Sequence, residues 1–99
     1  MELARVLGQV VSTAKHEGFA GFTLLLLHPV DASGGEIDGT PTYVAIDLTG
    51  AGTGEVVLVT RGGGARVPTS SASTPTDAAV VAIVDSVSLG QQTVFSTSS

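Results

Sequence analysis

No cysteine occurs anywhere in this sequence. Its absence removes disulfides, thiol nucleophiles and zinc–thiolate sites together, and an intracellular compartment fits it. Basic residues are also scarce. Arg5, Lys15, Arg61 and Arg66 face nine carboxylates, for a formal net charge of −5. A nucleic-acid binder needs clustered Lys and Arg to displace counterions, so no nucleic-acid partner is expected. Only four aromatics are present, Phe19, Phe22, Tyr43 and Phe95, too few for a base-stacking platform. The longest aliphatic run, LLLL at 24–27, falls far short of the ~20 residues of a membrane-spanning helix. The opening MELARVLGQVVST has no targeting pattern. A soluble chain with no membrane partner is therefore expected. Charged residues make up 13% of the total, against ~25% in ordinary soluble domains. So sparse a charge suggests that part of the surface is covered by other subunits.

What is present is a single domain's worth of chain, 99 residues, rich in aliphatic and β-branched residues between glycine-marked breaks. Residues 2–13, ELARVLGQVVST, read as a strand, with Ala4, Val6, Gly8 and Val10 on one face and Leu3, Arg5, Leu7, Gln9 and Val11 on the other. Gly8 in mid-strand predicts a bulge or a close backbone approach. After the polar connection AKHEGFAGF, a second strand is expected at 22–30, FTLLLLHPV, buried on both faces or on one face with a subunit contact on the other. The turn-rich DASGGEIDGT comes next, then strands at 41–48, PTYVAIDL, and 55–60, EVVLVT. Residues 62–76 are low-complexity Gly, Ser, Thr and Pro. Thr76-Asp77-Ala78-Ala79 could cap one short helical turn, and a last strand spans 80–89. The tail from 90 to 99 lacks patterning and is expected to be flexible. Five strands and no helix-length segment predict an all-β fold, a small barrel or sandwich, in one domain over 1–89.

The candidate chemistry is thin. Gly50-Ala51-Gly52-Thr53-Gly54 invites a phosphate-binding reading, but a dinucleotide fingerprint needs a helix after its glycines. These glycines lead instead into the strand EVVLVT, and no Gly-Lys-Ser/Thr exists for a P-loop. The simpler reading is a tight strand-to-strand loop using glycine's left-handed conformations, whose bare backbone could also line a pore. His16 and His28 have no second ligand at metal spacing. Asp47 and Glu55 flank the loop and could form an acid–base pair. Asp47 is more simply an acceptor for loop amides, and Glu55 a polar strand edge or an ion-pair partner. Arg61 and Arg66 are either solvated or paired across an interface with Asp77 or Asp85. No catalytic set, cofactor site or metal site emerges.

Five segments in order, ARVLGQVVSTAKH at 4–16, TLLLLHPVD at 23–31, AIDLTGAGTGEVVLV at 45–59, GGGAR at 62–66 and PTDAAVVAIVDSV at 75–87, closely resemble the pentameric vertex proteins of bacterial microcompartment shells. That family includes carboxysome and ethanolamine-utilisation vertex proteins. Two stretches depart from its pattern. Asp47-Leu48-Thr49-Gly50 stands where Asp-Thr-Val-Gly is common, and GGGAR where Gly-Ser-Ser-Ala-Arg is frequent. The resemblance implies a five-stranded barrel like the oligonucleotide-binding fold, assembled as a ring-shaped homopentamer. Such a ring caps the vertices of a polyhedral shell in the bacterial cytoplasm, among hexameric and pseudohexameric shell proteins. It also implies a structural role without enzymatic activity, with Gly50–Gly54 near the five-fold axis framing a narrow pore. Arg61, Arg66, Asp77 and Asp85 are then the candidate subunit or shell contacts. A small barrel that binds a ligand or nucleic acid is the alternative.

Overall fold

The computed structural model describes residues 1–11, 22–62 and 77–97. Seven strands lie in this part of the chain: β1 (Glu2–Val10), β2 (Thr23–Pro29), β3 (Tyr43–Asp47), β4 (Val56–Arg61), β5 (Ala78–Ile83), β6 (Ser86–Leu89) and β7 (Gln92–Ser96). The first five close into a barrel in the order β1-β2-β3-β5-β4, and β6 and β7 form a separate two-stranded sheet. All barrel pairings are antiparallel except β3 with β5. This is the Greek-key strand order of the oligonucleotide-binding type of barrel.

Alternation along the strands builds the core. Leu25 and Leu27 of β2 point inward with Ala4 and Val6 of β1, Ala45 of β3, Val57 and Val59 of β4, and Ala78 and Val80 of β5. Leu24 and Leu26, the intervening residues of β2, are half-buried. The apolar run thus divides between a fully buried face and a partly covered one.

Two bulges shape the wall. Val6 pairs with Leu27 and Gly8 with Leu26, which leaves Leu7 as the extra residue of β1. The irregularity expected at Gly8 is therefore present, and it has a consequence that the simple alternation missed. Directly opposed residues share a sheet face, so Gly8 and Val10, opposite Leu26 and Leu24, lie on the outer face. The single face expected for Ala4, Val6, Gly8 and Val10 is broken, because one inserted residue reverses the side-chain parity. A second shift leaves Val81 of β5 as an extra residue beside β4. Bulges add local bend and twist, which a five-stranded sheet needs to close.

Three expectations about the C-terminal half are corrected. The helical turn at 76–79 is not formed: Ala78 and Ala79 open β5, and no α-helix occurs among the described residues. Both alanines are fully buried, so packing against the barrel overrides alanine's preference for helix. The single strand expected over 80–89 is two strands, β5 and β6, separated at Val84-Asp85. The tail, expected to be unpatterned and flexible, is strand over Gln92–Ser96. It folds back on β6 through Gly90-Gln91, with Gly90 at φ 62°, the sign a two-residue hairpin turn of the II′ kind requires at its first central position. The expected connection at 14–22 lies almost wholly outside the described residues, as do most of the 62–76 stretch, His16 and Arg66.

Candidate functional site: the glycine loop

The loop between β3 and β4 is held from its own ends. Asp47, the last residue of β3, accepts hydrogen bonds at Oδ1 from the Thr49 amide and hydroxyl, both at 2.9 Å, and at Oδ2 from the Ala51 amide at 3.0 Å. The Gly52 amide donates to Glu55 Oε1 at 2.6 Å, and the Glu55 amide returns a bond to the Gly52 carbonyl at 3.1 Å. The Gly54 amide donates to the Val6 carbonyl at 2.8 Å, while the Val6 amide reaches the Glu55 carbonyl at 2.9 Å. Gly50 and Gly54 take φ values of 79° and 91°, a region costly to any residue with a Cβ.

This geometry decides between the readings of the glycines. The amides of Thr49, Ala51, Gly52, Gly54 and Glu55 are all spent inside the chain, whereas a phosphate cradle presents its amides outward. Asp47 and Glu55 act as the anchors of the loop, as the simpler reading expected of Asp47. The loop is a rigidly tied backbone arch that leaves Gly50, Gly52, Thr53 and Gly54 exposed and tucks Ala51 against the core.

Arg61 makes its contacts within the chain. Its Nη1 lies 3.4 Å from Glu2 Oε2, and its guanidinium sits 4.1 Å from the centre of the Tyr43 ring. Burial first, and then the neighbouring Glu2 carboxylate, push the Tyr43 phenol above its ordinary value, with Arg61 opposing. The Tyr43 hydroxyl is buried without a hydrogen-bond partner among the described residues. Asp77 and Asp85, the carboxylates considered for Arg61, are exposed, and their backbone carbonyls accept the amides of Gly62 at 2.7 Å and Thr97 at 2.9 Å. His28 Nδ1 lies 2.9 Å from the Pro29 carbonyl. No group of three or more potential metal ligands occurs among the described residues.

Sequence reasoning gave no role to Arg5, Gly34 or Phe95. Arg5 projects from the outer face of β1, between Val56 of β4 and His28 of β2. Its Nη1 donates to the Gly54 carbonyl at 2.7 Å and its Nη2 to the Gly34 carbonyl at 2.8 Å. Gly34 is buried, with φ 87°, and a Cβ there would stand 2.7 Å from Cδ1 of the Phe95 ring. Gly34 belongs to a turn tied by Asp31, whose Oδ1 accepts the Ser33 hydroxyl at 2.6 Å and the Ser33 and Gly35 amides at 2.9 and 3.0 Å. The Ser33 hydroxyl bond first, and then the backbone amides, hold the Asp31 carboxyl below its ordinary value. The available signal was a lone arginine among aliphatic strand residues.

A closed five-stranded barrel in the order β1-β2-β3-β5-β4, with a self-tied glycine loop between β3 and β4, defines a small Greek-key β-barrel protein. The sequence places it further: residues 1–85 match the model of the EutN/CcmL family, described as ethanolamine utilisation protein EutN/carboxysome, and the chain belongs to that family. The chain is 46% identical over 95 residues to the bacterial microcompartment shell vertex protein EutN of Salmonella typhimurium, covering 96% of this chain and 94% of that protein. Among solved structures, CcmL of Gloeobacter violaceus superposes with a TM-score of 0.89 at 37% identity, over the full length of both chains. GrpN of Rhodospirillum rubrum, a pentameric microcompartment shell protein, superposes with a TM-score of 0.77 at 42% identity, over 90% of this chain and 98% of that one.

Proposed function

We propose that this chain is a structural subunit of a bacterial microcompartment shell, five copies of which close into a ring that caps a vertex. The observation that carries this reading is the likeness to GrpN, a pentameric shell protein 42% identical to this chain. A heterologous contact repeated about a five-fold axis closes after five copies and leaves no open end. A closed shell of hexagonal tiles needs such five-fold positions. The ring sits among hexameric and pseudohexameric shell proteins in the bacterial cytoplasm and performs no catalysis. Gly50–Gly54 line the axis as a pore rim, for which an arch of exposed backbone with few side chains is suited. Arg61, Arg66, Asp77 and Asp85 lie at contacts with neighbouring subunits or shell proteins.

Native mass spectrometry of the purified chain tests this directly. A dominant five-subunit species is expected, and a clean monomer or dimer would remove the reading. The same measurement applies to Gly52→Trp. Gly52 is exposed and lies outside the positive-φ region, so a side chain adds there without backbone strain. The variant should remain five-fold while its opening is occluded. Loss of the ring in this variant would make the loop packing structure instead of a pore rim.

A further inference from the structure

Two loops on opposite sides of β1 give a backbone carbonyl to the same guanidinium. Arg5 Nη1 is 2.7 Å from the Gly54 carbonyl and Nη2 is 2.8 Å from the Gly34 carbonyl, both short, charge-assisted bonds. Each carbonyl belongs to a glycine with positive φ, 91° at Gly54 and 87° at Gly34, so its direction depends on a conformation that other residues rarely adopt. The planar fork of arginine suits this task, because its nitrogens point in fixed and different directions.

The third partner is the C-terminal hairpin. The Phe95 ring lies against Gly34 where a Cβ would otherwise project, and Phe95 is half-buried there. Among the described residues the hairpin's two strands pair only with each other, and a two-stranded hairpin alone is marginal in water. Its position on the barrel therefore depends on contacts such as this one.

We propose that Arg5 is a positioning residue coupling the C-terminal hairpin to the glycine loop, so that docking of Phe95 on Gly34 holds the Gly54 corner of the loop in place. Phe95 fixes Gly34, Gly34 fixes one arm of Arg5, and the other arm fixes the Gly54 carbonyl. A partner that lifts or presses the hairpin thereby alters the loop, although no residue of the hairpin needs to touch it. The coupling concerns the conformation of the loop and holds whether or not the loop frames a pore.

Amide hydrogen exchange on the full assembled chain tests this. In Phe95→Ala, the amides of Ala51, Gly52 and Gly54 should exchange about tenfold faster or more, as expected when a charge-assisted bond is loosened. The core amides of Leu25 and Leu27 should be unchanged. Arg5→Ala should accelerate the same loop amides at least as much, and Arg5→Lys should restore them only in part. Phe95→Leu, which keeps an apolar plug over Gly34, should stay near the parent. The deciding variant is the pair Arg5→Ala with Phe95→Ala, whose loop exchange should be no faster than in Arg5→Ala alone. Unchanged loop exchange in Phe95→Ala, multiplicative effects in the pair, or equal acceleration of the core amides would each overturn the proposal.

Discussion

Two turns in this molecule are built alike and end differently. Asp31-Ala32-Ser33-Gly34-Gly35 comes after β2, and Asp47-Leu48-Thr49-Gly50-Ala51 closes β3. In each, an aspartate accepts the amide and hydroxyl of the residue two positions on, and the amide four positions on. In each, the residue three positions on is a glycine with positive φ, 87° at Gly34 and 79° at Gly50. The difference lies above the glycine. A Cβ on Gly34 would run into Phe95, whereas one on Gly50 would meet nothing within 4 Å. One local code thus yields a covered turn and a bare one, and the cover comes from a strand more than 40 residues away in sequence. What leaves the glycine loop open is tertiary context and not its own composition.

That contrast can be broken at the glycines. Gly34→Ala combines an unfavourable backbone conformation with overpacking against Phe95, and should cost about 3 kcal/mol. Gly50→Ala meets only the conformational term, about 1 kcal/mol. Urea unfolding of both variants checks the ordering. In a Phe95→Ala background the cost at Gly34 should fall towards that at Gly50. Equal costs in the parent protein would mean that Phe95 does not cover the first turn.

A smaller effect separates the aspartates. Asp47 is half-buried and spreads its bonds over both carboxylate oxygens, so Asp47→Ala should destabilise by about 2 kcal/mol, the scale for bonds to a charged acceptor. Asp31 is exposed and uses a single oxygen, and Asp31→Ala should shift the unfolding midpoint less. A larger shift at Asp31 would reverse this view of the two turns.

The smallest effect is one of pH. The bonds from Ser33 and Gly35 hold the Asp31 carboxyl below its ordinary value, so they favour the folded state wherever the unfolded carboxyl is already ionised. Their contribution is present above about pH 4, the ordinary aspartate range. It is lost as pH falls through the lower folded value. An NMR titration should place the Asp31 midpoint below that range, and Ser33→Ala should raise it. A midpoint already in that range in the parent would show that the hydroxyl bond is not made in solution.

Much of the barrel could be read from local pattern, because alternation and glycine punctuation are local signals. The runs at 2–13, 22–30, 41–48 and 55–60 each contain or closely match a barrel strand, and Gly8 marked the bulge beside Leu7. The anchoring role of Asp47 was also legible, since an aspartate preceding a glycine loop has its amides within reach. The errors arose where distant parts of the chain decide. Ala78 and Ala79 are strand because β3 and β4 lie on either side of β5, and two alanines say nothing of that. β6 fell inside the strand expected over 80–89, but β7 is short and reads QTVFS, with no apolar alternation to announce it. Arg5 resembled an ordinary outward strand residue, because both carbonyls that it bridges belong to loops remote in sequence.

The barrel closes along one seam, where β5 lies between β3 and β4. With β3 it shares only two paired positions, Ile46 with Ala79 and Asp47 with Val80. The pairs β1–β2 and β2–β3 join neighbours in sequence and can form while the chain is still being made. The seam must wait for residues 78–83, and such long-range closure is the slow part of folding a β-protein. Until β5 emerges from the ribosome, β3 and β4 each have an open side, the kind of unpaired edge that recruits other chains. The chain's exposure to mispairing during synthesis is therefore set by how soon its fifth strand arrives.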